Sequence, residues 1–224
     1  MRIAIRPALT ACLLAAALPA QATLIDFTAD DDPVVTADGV TATVTAQNGS
    51  LNWTAFDGDY GAPPCTSGSG LLACRPYDGV GVGDDEVTHG LGAGAESITV
   101  TFDQLVTVTG IHLFDLFGED DDAIGNPAEV ASMQFFNGLG VQVGLWSLTG
   151  TAAPGTLSGY AASLAGLMVG DVHSIRFFTD AENRLNSDFA VAGIEFVSVP
   201  EPGTLALLGA GLLGFGLARR RRRG

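Results

Sequence analysis

Alternation of apolar and polar residues is the dominant pattern along the middle of the chain. In the stretches 40–46 and 97–102, valine, isoleucine, alanine or phenylalanine alternates with threonine or serine. A period of two residues places the two sets of side chains on opposite faces of a β-strand. No stretch of helical period extends beyond a dozen residues. The pattern therefore predicts strands with one apolar face and one polar face.

Further strand candidates follow at short intervals, separated by clusters of Gly, Asp, Asn and Pro. They lie at 24–28, 51–56, 106–117, 130–137, 141–148, 161–169, 172–179 and 189–199. The segment 161–169 also fits a short helix, and we interpret it as a strand. Strands at this spacing, with no internal repeat and no linker, predict a single all-β domain over 23–199, an antiparallel β-sandwich that is jelly-roll-like.

The first 22 residues have the features of a secretory signal peptide. Arg2 and Arg6 precede an apolar run at 9–18, and Ala20 and Ala22 supply small residues at the −3 and −1 positions. The run is too short to cross a hydrocarbon core of about 30 Å as a helix. We expect export by the secretion machinery and cleavage by signal peptidase after Ala22.

The last 25 residues form a second targeting segment, 200–224. It begins with Pro200, Glu201 and Pro202, continues with an apolar, glycine-rich run, and ends in five arginines: Arg219, Arg220, Arg221, Arg222 and Arg223. The run from Gly203 to Ala218 would span about 24 Å as a helix. The basic stop would hold its end on the cytoplasmic side, so the tail predicts transient anchoring in the inner membrane with the domain facing outward.

This tail resembles the PEP-CTERM sorting signal of Gram-negative bacteria in its Pro-Glu-Pro motif, its glycine-rich apolar run and its arginine cluster. The resemblance implies recognition by a membrane exosortase and removal of the tail near the motif. It also implies release or attachment at the cell surface, commonly beside exopolysaccharide production. The segments 78–86 and 187–194 are similar to parts of other PEP-CTERM proteins, which supports a shared sandwich and assigns no activity.

Charge excludes several classes of function. The chain has 25 acidic and 10 basic residues and a net charge of −15 at pH 7. Every basic residue is arginine, and only Arg75, Arg176 and Arg184 lie within 23–199. A field of this sign repels phosphate backbones, which argues against nucleic acid as a partner. The lack of lysine excludes a lysine-dependent phosphate loop or Schiff base.

Carboxylates are concentrated in three stretches, at 57–59, 78–86 and 119–122. Calcium binds six to eight oxygens, which Asp/Gly loops supply from carboxylates and carbonyls. The segment starting at Asp120 fails as an EF-hand at its fifth position, Ile124. Two interpretations remain open: solvated acidic loops that keep the exported protein soluble, or a calcium site with Asp84, Asp85 and Glu86 as its candidate ligands.

Cys65 and Cys74 are the two cysteines outside the signal peptide. Export into an oxidising compartment favours a disulfide between them. In the loop-entropy model such a bond stabilises by about 2 to 3 kcal/mol, and it would order a Gly-rich loop. A zinc pair is the alternative, although two sulfurs without a nearby histidine make a poor ligand set.

No catalytic motif is present, since the chain lacks Gly-x-Ser-x-Gly and His-Glu-x-x-His and its three histidines share no metal-ligand spacing. We expect a protein that is not an enzyme. Tyr60 and Tyr77 flank the cysteine loop and are candidates for stacking on sugar rings. Trp53 and Trp146 lie in strand candidates and are expected in the core.

The leading hypothesis is an exported surface or matrix protein that binds exopolysaccharide or another glycan, with acidic loops ordered by calcium. A structural matrix component without a specific ligand is the second. A glycoside hydrolase that uses two carboxylates is the third, and no pair of carboxylates is singled out for it.

Overall fold

A computed structural model describes residues 22–53, 72–73, 77–83, 86–90, 94–116, 118, 128–150, 162–179, 187–199 and 211. These residues form antiparallel β-strands. In chain order they are β1 (Thr23–Asp26), β2 (Val34–Ala37), β3 (Val40–Gln47), β4 (Leu51–Asn52), β5 (Gly81–Val82), β6 (His89–Gly90), β7 (Gly94–Ala95), β8 (Ser97–Phe114), β9 (Val130–Phe136), β10 (Gln142–Thr149), β11 (Ala162–Thr179) and β12 (Ala190–Ser198).

Two long strands, β8 and β11, pair with each other along both of their halves. The first half of β8 also pairs with β3, and the second half pairs with β12. One layer therefore has the order β2-β3-β8-β11-β9-β10, and the other has the order β1-β12-β8-β11. Strands that run through both layers turn one continuous sheet back upon itself.

The core lies between these two layers. Along β3 and the first half of β8 alternate residues are buried, as the two-residue period requires, and buried residues of both layers join one cluster. The ring of Phe102 in the first layer contacts Phe196 in the second, with centroids 6.0 Å apart. The predicted antiparallel β-sandwich is thus confirmed.

The strand bounds differ most from the sequence-based prediction in the two long strands, and β2, β5, β6 and β7 were not predicted. The pattern divides β8 near residue 104 and β11 near residue 170, whereas each is a single strand of 18 residues. Three register shifts interrupt the β11–β8 ladder, and Gly166 and Asp171 have positive φ angles of 78° and 59°. Polar and glycine residues there mark bulged bends between layers, because a bulge redirects a strand without ending it.

Two hairpin turns follow directly from local sequence. Asp38 and Gly39 between β2 and β3 have φ angles of 49° and 74°, the left-handed pair that a type I′ turn needs. Between β9 and β10, the Asn137 side chain accepts hydrogen bonds from the N–H groups of Leu139 and Val141, both at 3.0 Å. These turns set the ends of the outer strands of the first layer.

Candidate functional site

The outer face of the first layer is rich in hydroxyl groups, and we call it the hydroxyl face. Its residues alternate with core residues along β3, β8, β9 and β11. They are Thr43, Thr45, Gln47, Ser97, Thr99, Thr101, Ser132, Gln134, Phe136, Ser174, Arg176 and Phe178, of which Ser97 and Ser132 are buried. Threonine is favoured in strands because its branched side chain suits a pleated surface, and its hydroxyl group lets that surface meet water.

Register places these side chains in rows across four strands. One row reads Thr45, Thr99, Arg176, Gln134, and the next reads Thr43, Thr101, Ser174, Phe136. Four strands span about 14 Å at the usual spacing in a sheet. The Thr45 hydroxyl donates to the Thr99 carbonyl at 3.3 Å. The result is a flat array of uncharged hydrogen-bonding groups around one cation.

Arg176 is the only arginine within the described part of the chain. Its guanidinium lies over the Phe178 ring, 5.3 Å from the centroid, and its buried Nε has no hydrogen-bond partner among the residues that the structure describes. Stacking holds the planar guanidinium in place, and its N–H groups form a rigid fork of donors. Sequence reasoning did not single out Arg176, although its isolation among the acidic residues was visible.

The predicted calcium loop is described only in part. Asp84 and Asp85 lie outside the described residues, and Glu86 is partly buried. The Val82 N–H donates to the Glu86 carbonyl at 3.0 Å, and the Gly83 N–H donates to the Ser50 carbonyl at 2.9 Å. These bonds bring Val82 close to Glu86, and a calcium site at Asp84, Asp85 and Glu86 stays a prediction.

Glu96, which the sequence did not single out, lies beside Gly83. Its side chain is 8% exposed and accepts a hydrogen bond from the Thr88 N–H at 3.0 Å. Its Oε1 is 3.5 Å from where a Cβ of Gly83 would lie. Across the described residues, no group of three or more His, Cys, Asp or Glu side chains is placed to hold a metal ion.

A groove of about 640 Å³ lies where the long strands bend between the layers. It is lined by Asp103, Gln104, Leu105, Asn137, Gly138, Leu139, Asp171 and His173. Asp103 accepts from the Thr41 N–H at 2.9 Å, and Gln104 donates to the Gly39 carbonyl at 3.0 Å. Two of its polar side chains therefore fasten the β2–β3 hairpin, which is a structural task.

His112 lies in β8 of the second layer and is 6% exposed. Its Nε2 is 2.9 Å from Oε1 of Glu195 in β12. This pair joins neighbouring strands away from the hydroxyl face. The arrangement makes His112 a packed strand residue.

Tyr77, a candidate for sugar stacking, lies beside acidic residues. Its N–H donates to the Thr28 carbonyl at 3.1 Å, and the charges of Asp31 and Asp30 act on its hydroxyl group. Tyr60, the other candidate, lies outside the described residues. A sugar-stacking role for these two tyrosines stays a prediction.

The pKa of Tyr77 is raised above its ordinary value of 10.0, first by burial, then by the charge and hydrogen bond of Asp31, and then by the charge of Asp30. The folded state thus holds this proton more tightly than the unfolded state, so its stabilising contribution is present below pH 10 and is lost as pH rises through the folded pKa. We expect the free energy of unfolding to fall as pH rises above about 10, and less steeply in Tyr77→Phe. Urea unfolding at a series of pH values measures both slopes. Equal slopes would contradict this prediction.

The end of the cysteine loop that the structure describes, at Leu72 and Ala73, is held by a hydrogen bond and by packing. The Asp26 carboxylate accepts from the Thr28 N–H at 2.9 Å and from the Ala73 N–H at 2.6 Å. Leu72 is buried against the second layer, close to Gly193. Cys65 and Cys74 lie outside the described residues, so the disulfide stays a prediction.

The signal peptide before Ala22 and the tail residues Pro200, Glu201, Pro202 and Arg219 to Arg223 also lie outside the described residues. Within the described ranges, no helix is long and apolar enough to cross a membrane.

Comparison with known proteins identifies the tail and not the domain. No curated protein matches the chain. The family model of the PEP-CTERM protein-sorting motif matches residues 198–223, which include the Pro-Glu-Pro and all five terminal arginines. This match confirms the resemblance of the tail, and it makes exosortase the processing partner. The chain is therefore an exported protein that carries the PEP-CTERM sorting motif and is targeted to exosortase at the membrane.

Proposed function

We propose that this protein acts at the cell surface or in the extracellular matrix, where its hydroxyl face binds exopolysaccharide or another glycan. Export and exosortase targeting follow from the sorting motif. The single observation that supports glycan binding is the array of hydroxyl and amide groups around Arg176. Anchoring in the inner membrane is proposed as a transient step before the tail is removed.

The chemistry of the hydroxyl face suits a sugar polymer. Sugar hydroxyls donate and accept hydrogen bonds, and threonine, serine and glutamine side chains do both. Arg176 adds charge-assisted donors, which form the stronger hydrogen bonds. Phe136 and Phe178 are partly exposed and offer apolar surface beside these groups. The strong negative charge of the rest of the chain leaves this face as the favourable place for a polar, uncharged polymer segment.

The test is co-sedimentation of the full chain with the producing organism's exopolysaccharide. Arg176→Met keeps the aliphatic stem over Phe178 and removes the donors, so we expect retention to fall by about tenfold or more, the equivalent of one charge-assisted hydrogen bond. A folded Arg176→Met protein that is retained like the wild type would overturn the proposal.

A matched pair of variants separates this face from the rest of the sandwich. Thr99 and Thr107 lie on the same strand, β8, and both face outward. Thr99 belongs to the hydroxyl face, whereas Thr107 lies in the second layer. Thr99→Ala is expected to weaken retention, and Thr107→Ala is expected to leave it unchanged. An equal effect of both substitutions would contradict the assignment of the site.

We further propose that calcium orders the acidic turn at Asp84, Asp85 and Glu86. Its support is the hydrogen bond that joins Val82 to Glu86, on either side of Asp84 and Asp85, with the buried Glu96 carboxylate beside Gly83, because calcium prefers carboxylate and carbonyl oxygens. Thermal unfolding in calcium and in chelator tests this, with an expected fall in Tm in chelator. Asp84→Asn combined with Asp85→Asn should abolish the difference. A Tm that does not depend on calcium would exclude the site.

A structural matrix component is the second candidate function. The observation in its favour is the edge strand β10, which exposes the apolar side chains of Leu145 and Trp146. Retention that is unchanged by all variants of the hydroxyl face would bring this candidate forward.

A further inference from the structure

β10 is an edge strand with an unusual surface. Among the described strands it pairs only with β9. Its side chains are largely exposed, including Leu145 at 56% and Trp146 at 45%. The expectation that Trp146 packs in the core is therefore wrong, because strand alternation cannot show that β10 lies at the margin of the sandwich. Trp53, by contrast, is partly buried against the core as expected.

β10 and its neighbour β9 contain no charged residue. No charged residue occurs between Glu129 and Asp171, a stretch that includes β9, β10 and the first half of β11. The whole chain has a net charge of −15, so two copies repel each other over most of their surfaces. At the neutral edge, two such acidic molecules can approach each other without repulsion between like charges.

The other sheet edges carry features that prevent pairing. β2 follows Asp30, Asp31, Asp32 and Pro33 and precedes Asp38, and acidic residues and proline block the addition of strands. β1 has only four residues. The first half of β11 is interrupted by register shifts. β10 has one register shift near its start and then runs regularly from Gly144 to Thr149.

The sequence of β10 is complementary to itself. In antiparallel pairing about a two-fold axis at Leu145, Trp146 of each copy lies opposite Gly144 of the other, and Val143 lies opposite Ser147. Glycine has no side chain, so it leaves room for the indole ring. The two Leu145 side chains meet on one face with Cβ atoms about 4.5 to 5.5 Å apart.

We propose that two copies of this protein associate by antiparallel pairing of their β10 strands. The partner at this edge is a second copy for two reasons. The edge is uncharged, so an equally acidic molecule is not repelled there, and the sequence of β10 fits against a second β10. A single strand pair buries less than the roughly 1,200 Å² of a stable interface, so association is weak and depends on the high local concentration at a surface. It also aligns the hydroxyl faces of the two copies, since Leu145 is in the row of Gln134 and Arg176.

The first experiment traps the pair by a disulfide. Two differently tagged full-length copies are co-expressed with export, both carrying Leu145→Cys, and are oxidised mildly. We expect a dimer that contains both tags, because Cβ atoms across a strand pair lie close to disulfide distance. Val34→Cys is the control, since Val34 is 46% exposed on the β2 edge. No dimer with Leu145→Cys beyond the Val34→Cys level would overturn the proposal.

A charge exchange then tests the register. Leu145→Glu in both copies should reduce cross-recovery of the tags by about tenfold or more, because like charges meet across the axis. Leu145→Glu in one copy and Leu145→Arg in the other should restore it. Recovery that is unaffected by Leu145→Glu in both copies would refute the β10 interface. Neither experiment uses a glycan, so the result is independent of the proposed binding function.

Discussion

Replacing Gly79 by alanine is expected to lower the free energy of unfolding by about 2 to 5 kcal/mol. Gly79 has a φ of +134°, which residues with a Cβ rarely adopt. A Cβ there would lie 2.7 Å from the Val191 carbonyl oxygen and 2.9 Å from its carbon. Backbone atoms cannot move aside as a flexible side chain can. The next residue, Val80, bridges Val191 through two hydrogen bonds of 3.0 Å, so the substitution pushes this segment away from β12.

Substitutions at two other glycines separate the cost of backbone strain from the cost of the steric clash at Gly79. Gly39 has a φ of +74°, and no atom lies within 4 Å of the position that a Cβ would take, so Gly39→Ala should cost only the strain, about 1 to 2 kcal/mol. Gly170 has no positive φ, and the nearest atom is 3.9 Å away. Gly170→Ala should therefore change stability by less than about 1 kcal/mol. Chemical denaturation of the variants gives the order, and a Gly79→Ala protein no less stable than Gly39→Ala would contradict the close approach.

Phe102→Ala is the second large effect, with an expected loss of about 3 to 5 kcal/mol. Phe102 is fully buried, and its ring contacts Phe196 across the two layers. Removing it leaves a cavity where the layers meet, and the surrounding strands can close only part of it. The same chemical change at Phe136, which is partly exposed on the outer face of β9, serves as the control.

Denaturant unfolding of the two phenylalanine variants measures the difference. We expect Phe136→Ala to cost about half as much as Phe102→Ala or less, because water can fill the space left on a surface. Comparable losses would mean that the layers are not held together through Phe102. Neither variant alters Leu145, so effects on stability stay distinct from effects on pairing.

The proposed pairing and the proposed binding reinforce each other physically. A polymer that contacts two hydroxyl faces in one dimer gains avidity, since the second contact is made at a high effective concentration. Leu145→Glu would then weaken polysaccharide retention as well as pairing, whereas Arg176→Met would weaken retention alone. This difference allows the two surfaces to be tested in the same set of variants.

Much of the fold was predictable because its signals are local. Alternation in 40–46 and 97–102 assigned the inner and outer faces of β3 and β8 correctly. The bends in β8 and β11 were not predictable as such, since Asp171 and the nearby glycines are equally typical of a turn that ends a strand. Whether each strand ended or only bent there depended on which partner strands were available on either side.

The candidate site was predictable only as separate pieces. The outward threonines of β3 and β8 were identifiable from period, and the scarcity of basic residues was plain from composition. Their placement in one row with Arg176 and Gln134 required the register of β11 with both β8 and β9. Residues from four strands that are far apart in sequence cannot be related by any local rule.

The sequence by itself determined the destination of this protein, its fold class and the two faces of its strands. Targeting is read from contiguous residues, and strand faces follow from a two-residue period, so both are local properties. Tertiary structure alone decided that Arg176 lies at the centre of a hydroxyl face and that the neutral β10 is an edge strand among the described strands. Position within a sheet is settled by long-range strand pairing, in which each strand competes for partners across the whole chain.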